Sequence, residues 1–314
     1  MKRILIIGGC GYIGSKLFTH FGSKLKYQID TVDLEWFGNT VNPNNFILDY
    51  RNLTKEFVQK YDVVILLAGH SSTAMALNST NNSAIKNNLD NFTNLLLKIG
   101  KHQKFIYASS SSVYNGILDS EVTEDHVLLA PQNVYDFTKK GIDEVMVLFP
   151  DIEFYALRFA TVNGASDNLR EDIMFNMMIK SAVLDNAVNV LNPYLRRPIL
   201  HMTDLVNAIE IIVESATDKR GFYNMSSFNG TVEEYANIVS DLTSAKIHIS
   251  TEAEFSTMLG GKLGTPLDFS INSDKFESTF NYKFVGTPES ITQDVSNIIE
   301  VVKKSKRSQG KEYE

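Results

Sequence analysis

The stretch that most restricts what this chain can fold into is Arg3 to Ile7 running into GGCGYIGS. A short apolar run, a glycine turn and an amphipathic stretch from Ser15 to Leu25 read as strand, turn, helix. Gly8, Gly11 and Gly14, with Tyr12 and Ile13 on the same turn, let the backbone bend tightly and approach a pyrophosphate. They also present helix N-terminal amides to its charge. A second run, Gln28 to Val32, ends in Asp33. That carboxylate can accept hydrogen bonds from both hydroxyls of an adenosine ribose and would repel a 2′-phosphate, so the expected dinucleotide is NAD, not NADP. A third strand, Phe46 to Asn52, is closed by Asp49 beside Tyr50. Asp49 could meet the adenine amino group, or could equally cap a helix beginning near Leu53.

The alternation continues. Asp62 to Ala68, DVVILLA, is the unbroken apolar run of a parallel strand buried on both faces, and Leu67, Ala68 and Gly69 let a cofactor lie against its end. Ala84 to Lys98 has helical spacing, Lys104 to Ala108 is another buried strand running into Ser109, Tyr135 to Phe149 is a helix and Phe154 to Ala160 a strand. Such alternation specifies an α/β fold, a doubly wound parallel sheet with ligands at the carboxyl ends of the strands. Gly8, Asp33, Asp49, Ala68 and Ser110 all fall at such ends.

Later the pattern loosens. A helix is expected over Asn168 to Asp185, a short strand over Val188 to Leu191, a helix over Leu205 to Ala216 and a late strand over Gly221 to Ser226. Thr231 with Glu234 forms a capping box, and Thr287-Pro288-Glu289 opens the last helix. With no repeat and no linker, the second half should fold back over the first.

The chemistry is concentrated between Ser109 and Lys139. Tyr135 and Lys139 stand about one helical turn apart, so phenol and ammonium share a face. A fixed cation favours the phenolate and draws the tyrosine pKa toward the working range. Ser110 could hydrogen-bond the same substrate hydroxyl if strand and helix pack side by side.

Composition removes other classes. The chain has 314 residues, 43% of them hydrophobic, enough for one large domain or two. No apolar run nears the roughly 20 residues of a membrane helix, and the apolar run before the first glycines is too short for a signal peptide, so the expected location is the cytoplasm. A single cysteine, Cys10, excludes an internal disulfide, and the six histidines show no metal-ligand spacing. A net charge of −7 argues against nucleic acid. The basic tail, 303–314, reads as a solvated terminus or, less simply, as a segment binding a partner or a membrane surface.

Taken in order, GGCGYIGS with Asp33, LDYRN, LLAG, Asn88, SSSSVYN, the Tyr135 and Lys139 pair, LRFATVNGAS, RRPILHMTD and GFYNMSS resemble the extended short-chain dehydrogenase/reductases. The likeness is to the NAD-dependent epimerase/dehydratase branch acting on nucleotide sugars. It implies a Rossmann-type NAD-binding domain over 1–165, with later contributions from about 196–226, and a smaller α/β substrate-binding region over 166–195 and 227–300. It also implies that Ser110 is the catalytic serine position, that Tyr135 is the acid/base, and that Lys139 holds the nicotinamide ribose and lowers the tyrosine pKa. Asn88 and Ser109 join the NAD site by the same likeness. Ser111, Thr161, Asn163, Arg197 and Lys262 fall in segments that line the nucleotide-sugar site, with Arg197 matching an arginine that pairs with phosphate. His201 and Asp204 match a structural pair.

Departures from the family pattern narrow the reaction. Related 4,6-dehydratases carry acids where this chain has Ser111 and Ser112, which sets dehydration below simple oxidation. Thr161 and Leu267 replace an asparagine and an arginine near the diphosphate. The expected activity is oxidation at C4 of a nucleotide sugar, ending either in release of the 4-keto sugar or in re-reduction to the epimer. The alternatives are a 4-keto reductase and a non-catalytic dinucleotide sensor. A homodimer is expected through the helix after Asn88 and the helix bearing Tyr135.

Overall fold

Side-chain alternation along β1 (Lys2–Ile7) decides the architecture. Ile4 and Ile6 enter one buried cluster while Leu5 and Ile7 enter another, and none of the four is exposed. The same split recurs in β4 (Val63–Leu66), with Val63 and Ile65 on one side and Val64 and Leu66 on the other. A strand apolar on both faces must lie inside a sheet covered by helices on both sides. Each such side chain taken from water contributes roughly 1.5–3 kcal/mol. The computed structural model describes residues 1–77, 79, 83–117, 121–258 and 268–310.

β1, β2 (Tyr27–Asp33), β3 (Phe46–Ile47), β4, β5 (Lys104–Ser110), β6 (Glu153–Phe159) and a late strand, Gly221–Met225, form one parallel sheet. The other strands are β7 (Thr161–Asn163), β8 (Ala187–Val190), β9 (Arg196–His201), β11 (Phe228–Thr231) and β12 (Lys246–Ile249), which makes the late strand β10. In space the large sheet runs β10-β6-β5-β4-β1-β2-β3. Chain direction across the sheet reverses between β1 and β4, which opens a crevice at their carboxyl ends. β11, β9 and β7 form a second sheet, and β12 and β8 a third.

The helices are α1 (Tyr12–Gly22), the short α2 (Lys55–Val58), α3 (Thr73–Leu77) and α4 (Ser83–Ile85), α5 (Asn91–Leu96), α6 (Val134–Val147), α7 (Met174–Asp185), α8 (Met202–Glu214), α9 (Val232–Thr243), α10 (Glu252–Met258), α11 (Asp274–Phe280) and α12 (Pro288–Gly310). Among the described residues no helix is long and apolar enough to cross a membrane. α12 takes in 303–310, so most of the basic segment continues a helix.

Three elements differ from expectation, each for a local reason. The third strand stops at Ile47, because Asp49 accepts a hydrogen bond from the Arg51 amide and caps a 3-10 turn over Tyr50–Asn52, while Thr54 caps α2. The helix expected over Ala84–Lys98 is interrupted by a π turn at Lys86–Asp90 that carries Asn88. The helix expected from Asn168 begins only at Met174. The segment before it is pinned to the glycine turn: Asn168 donates to Cys10 O at 2.8 Å and Ser166 donates to Tyr12 O at 2.6 Å.

At the opposite end of the sheet, Glu210 of α8 gathers His20 at 2.7 Å, the Tyr27 hydroxyl at 2.9 Å and Lys24. The later segments are tied in by Asp204, wholly buried at the start of α8. Its carboxylate accepts from Tyr282 Oη at 2.8 Å, Ser227 Oγ at 2.6 Å and the amides of Val285 and Gly286.

Candidate active site

A cleft of about 1600 Å³ lies over the carboxyl ends of the sheet strands and extends across β7, α7 and β9. Its floor begins at the glycine turn. Gly8 has φ +92°, and a Cβ there would lie 2.6 Å from Ala68 N; one at Gly14 would lie 2.0 Å from Gly8 O. Both glycines are required by the fold. Gly11 is different: a Cβ would meet nothing nearer than Gly8 O at 3.5 Å, so the space beside it belongs to the cleft. Gly11 is also the N-cap of α1 and brings no side chain to the helix amides. Those amides are left for an anionic ligand.

Asp33 accepts from Cys10 N at 3.0 Å through one oxygen and from Glu35 N at 2.7 Å through the other, which fixes it on the cleft wall. Each oxygen keeps a further lone pair for hydroxyls. Tyr12, Ile13, Asp49, Tyr50, Leu67, Ala68 and Gly69 also line the cleft. The donor set and the uncovered α1 terminus fit a dinucleotide with an unphosphorylated adenosine ribose.

α6 brings the reactive side chains to β5. Ser110 ends β5, where its Oγ accepts from Ser112 N at 3.1 Å, and its own proton can go to the Tyr135 oxygen, with which it is hydrogen-bonded. Asn133 caps the helix, accepting from Asp136 N at 2.9 Å, so Tyr135 sits in the first turn. Lys139 donates to Ala108 O at 2.7 Å. Ser110, Tyr135 and Lys139 therefore meet on one wall of the cleft.

Burial sets the electrostatics of the pair first. Burial pushes the Tyr135 pKa up, and the opposing influences are the Ser110 hydrogen bond and the positive field of Arg170. Lys139 was expected to lower it. Its ammonium donates to the Ala108 carbonyl and stands 5.8 Å from the centre of the tyrosine ring. Burial holds the Lys139 pKa down at about 8, against the pull of Asp143.

Two expected site residues, Asn88 and Asn163, do not line the large cleft, and a third, Ser109, lines it with its hydroxyl engaged elsewhere. Asn88 does not line the large cleft. It accepts from His70 N at 2.8 Å and donates to His70 O and Thr138 Oγ1, which ties the loop after β4 to α6. Ser109 lines the cleft, but its hydroxyl turns to α6 and donates to Asp143 at 3.1 Å, a full two turns along that helix from Tyr135. Asn163, fully buried, donates to Thr161 O and accepts from Asn176 N, and it does not line the cleft. Ser111, Thr161 and Arg197 do line the cleft, while Lys262 and Leu267 lie outside the described residues.

Arg197 has no acidic partner among the described residues. Its Nε is buried without a hydrogen bond, and burial lowers its pKa. Other cleft cations are engaged, Arg170 with Asp172 at 2.8 Å and Lys180 with Glu171 at 2.5 Å. An uncompensated guanidinium on a cleft wall is an anion site in waiting.

Arg170, Trp36 and Phe37 were not singled out in the sequence. Arg170 reaches Ser71 Oγ at 3.3 Å across the cleft, and Trp36 stands edge-on to His70 with ring centres 5.9 Å apart. The available signals were faint: a lone tryptophan three residues after Asp33, and an arginine just before an apolar helix.

The family model described as NAD dependent epimerase/dehydratase family matches residues 4–226. The chain belongs to that family. Its cofactor is NAD. Protein CapI of Staphylococcus aureus is 27% identical over 235 residues, 68% of this chain and 69% of that protein. A dTDP-D-glucose 4,6-dehydratase of Dictyostelium discoideum is 24% identical over 80% of this chain and 62% of its own length. Among solved structures, UDP-glucuronic acid 4-epimerase from Bacillus cereus, in complex with UDP-glucuronic acid and NAD, has a TM-score of 0.80 at 20% identity, covering 96% of this chain and 99% of that one. A dTDP-glucose 4,6-dehydratase from Bacillus anthracis in complex with NAD has a TM-score of 0.77 at 19% identity, covering 96% and 97%. At such identities the likeness is one of fold.

Proposed function

We propose that this epimerase/dehydratase family member oxidises the C4 hydroxyl of a nucleotide-linked sugar, then either releases the 4-keto sugar or re-reduces it to the C4 epimer. The observation that carries this reading is the convergence of Ser110, Tyr135 and Lys139 on the cleft wall at the end of β5, in one cleft with the uncovered α1 terminus and with Arg197, which has no acidic partner among the described residues. Bound NAD supplies the hydride acceptor. Tyr135 takes the hydroxyl proton, and the Ser110 hydrogen bond steadies the phenolate that does so. Lys139, seated on Ala108 O, keeps a positive charge next to that centre and can donate to ribose hydroxyls. Arg197 offers a planar fork to a diphosphate.

Dehydration is the second reading, favoured by the fold shared with 4,6-dehydratases. Ser111 and Ser112 line the cleft where that chemistry needs an acid and a base, and hydroxyl groups with ordinary acidity do neither job alone. The deciding experiment incubates the protein with NAD and a panel of nucleotide sugars while following NADH absorbance and the sugar NMR spectrum. A C4 epimer without net NADH, or a 4-keto sugar with stoichiometric NADH, fits the proposal; a 4-keto-6-deoxy product overturns it. Tyr135→Phe should cost at least ~100-fold in kcat, in line with loss of a positioned acid/base.

A further inference from the structure

α6 is fastened to β5 by more than its two reactive side chains. Tyr135, Lys139 and Asp143 follow one another at four-residue intervals along the face turned to the strand. Their partners are consecutive residues of β5. Asp143 accepts from Tyr107 Oη at 3.0 Å and Ser109 Oγ at 3.1 Å, Lys139 donates to Ala108 O at 2.7 Å, and Tyr135 meets Ser110.

Asp143 is also the buried end of a charge network. Arg158, beside Ser109 in the β5–β6 register, donates through Nε at 3.0 Å, and the side chains of the pair are 3% and 6% exposed. Arg158 Nη1 donates to Tyr114 Oη at 2.7 Å, and Tyr114 belongs to the 3-10 turn that follows Ser110. Burial pushes the Asp143 pKa up, while Arg158, Ser109 and Tyr107 favour its ionised form.

We propose that Asp143 is a positioning residue for the reaction centre: through Lys139, one turn earlier, it keeps an ammonium charged and seated beside Tyr135, and through Ser109 and Arg158 it holds the Ser110 turn in register. The catalytic consequence rests on the reading of Tyr135 as acid/base; the electrostatic link from Asp143 to Lys139 does not. Facing Lys139 are Tyr135 and Asp143 from its own helix, Tyr107 from β5 and Tyr50 from the turn after β3, with Arg158 and Tyr114 behind Asp143. Of these, Asp143 is the acid. Its charge raises the Lys139 pKa against burial, so its loss should release the lysine proton at lower pH.

The test titrates Lys139 directly by NMR in full-length protein carrying ¹³Cε-lysine, its resonance assigned by disappearance in Lys139→Met. Asp143→Asn should lower the Lys139 midpoint by about one pH unit, tenfold in proton affinity. The double variant Asp143→Asn with Arg158→Met removes both buried charges, a change that buried pairs tolerate better than loss of one partner. It should lie between the single variant and the unmodified protein, because Asp143 is the charge that acts most on Lys139. A folded Asp143→Asn protein with an unmoved midpoint overturns the proposal. If circular dichroism shows the single variant unfolded, the double variant decides alone: a lowered midpoint supports the proposal and an unmoved one overturns it. No substrate is needed, so failure of the proposed C4 oxidation would leave this result readable.

Discussion

Gly11 and Gly14 stand three residues apart in one motif and do different things. A methyl group at Gly14 collides with Gly8 O, so Gly14→Ala should lose roughly 1–3 kcal/mol of stability together with NAD affinity. Gly11→Ala has room in the protein and loses a small-residue N-cap, at most ~1 kcal/mol, yet should weaken NAD binding sharply. Thermal melts and calorimetric NAD titration of the two variants separate fold from ligand. Arg170→Gln tests the cleft cation that the sequence did not point to. Its charge favours the Tyr135 phenolate, so removal raises the tyrosine pKa, and the acid limb of the kcat/KM profile moves to higher pH. A limb that stays in place would show that Arg170 does not act on the phenol. The glycines, Asp33, Ser110 and Tyr135 could be read because local spacing encodes them. Arg170 could not, because its approach to Tyr135 depends on a loop pinned by Asn168 and Ser166, bonds made across more than 150 positions.

The strands were read nearly to their ends wherever both faces are buried, since an apolar run such as Val63–Leu66 has one solution. Helix starts were read where capping is local. The capping box forms as expected, with Glu234 N donating to Thr231 Oγ1 at 3.2 Å and Thr231 N to Glu234 at 2.7 Å. Elements whose ends depend on distant partners were misjudged, as with the start of α7 and the π turn at Asn88. The same distinction predicts where truncation hurts. Asp204→Ala leaves the Tyr282 and Ser227 hydroxyls and two amides without their acceptor, at a cost on the order of 3 kcal/mol. Denaturant melts should show that loss, and limited proteolysis should cut first in the segments following Asn281.

For the molecule as a whole, the Glu210 cluster sets an acid limit on stability. Burial alone would raise its pKa, but hydrogen bonds from Lys24, His20 and Tyr27 hold it at about 2. A carboxylate depressed on folding stabilises above its unfolded pKa of about 4.3 and loses that contribution as pH falls toward its folded value. Glu210→Gln should therefore melt below the unmodified protein at pH 7, the gap closing as both are acidified toward pH 2. Assembly belongs to this scale too. Leu97, Phe137, Val147 and Leu148 are exposed on α5, α6 and their ends, at 62%, 43%, 60% and 75%, and we propose that a second copy covers them. Light scattering at micromolar concentration should give twice the 35.3 kDa chain mass. Trp36, the chain's single tryptophan, stands on the rim of the cleft, half exposed at 54%. The protein thus carries its own optical gauge: indole emission overlaps the absorption of a reduced nicotinamide, so each loading and discharge of the coenzyme should be visible as a change in fluorescence without any attached dye.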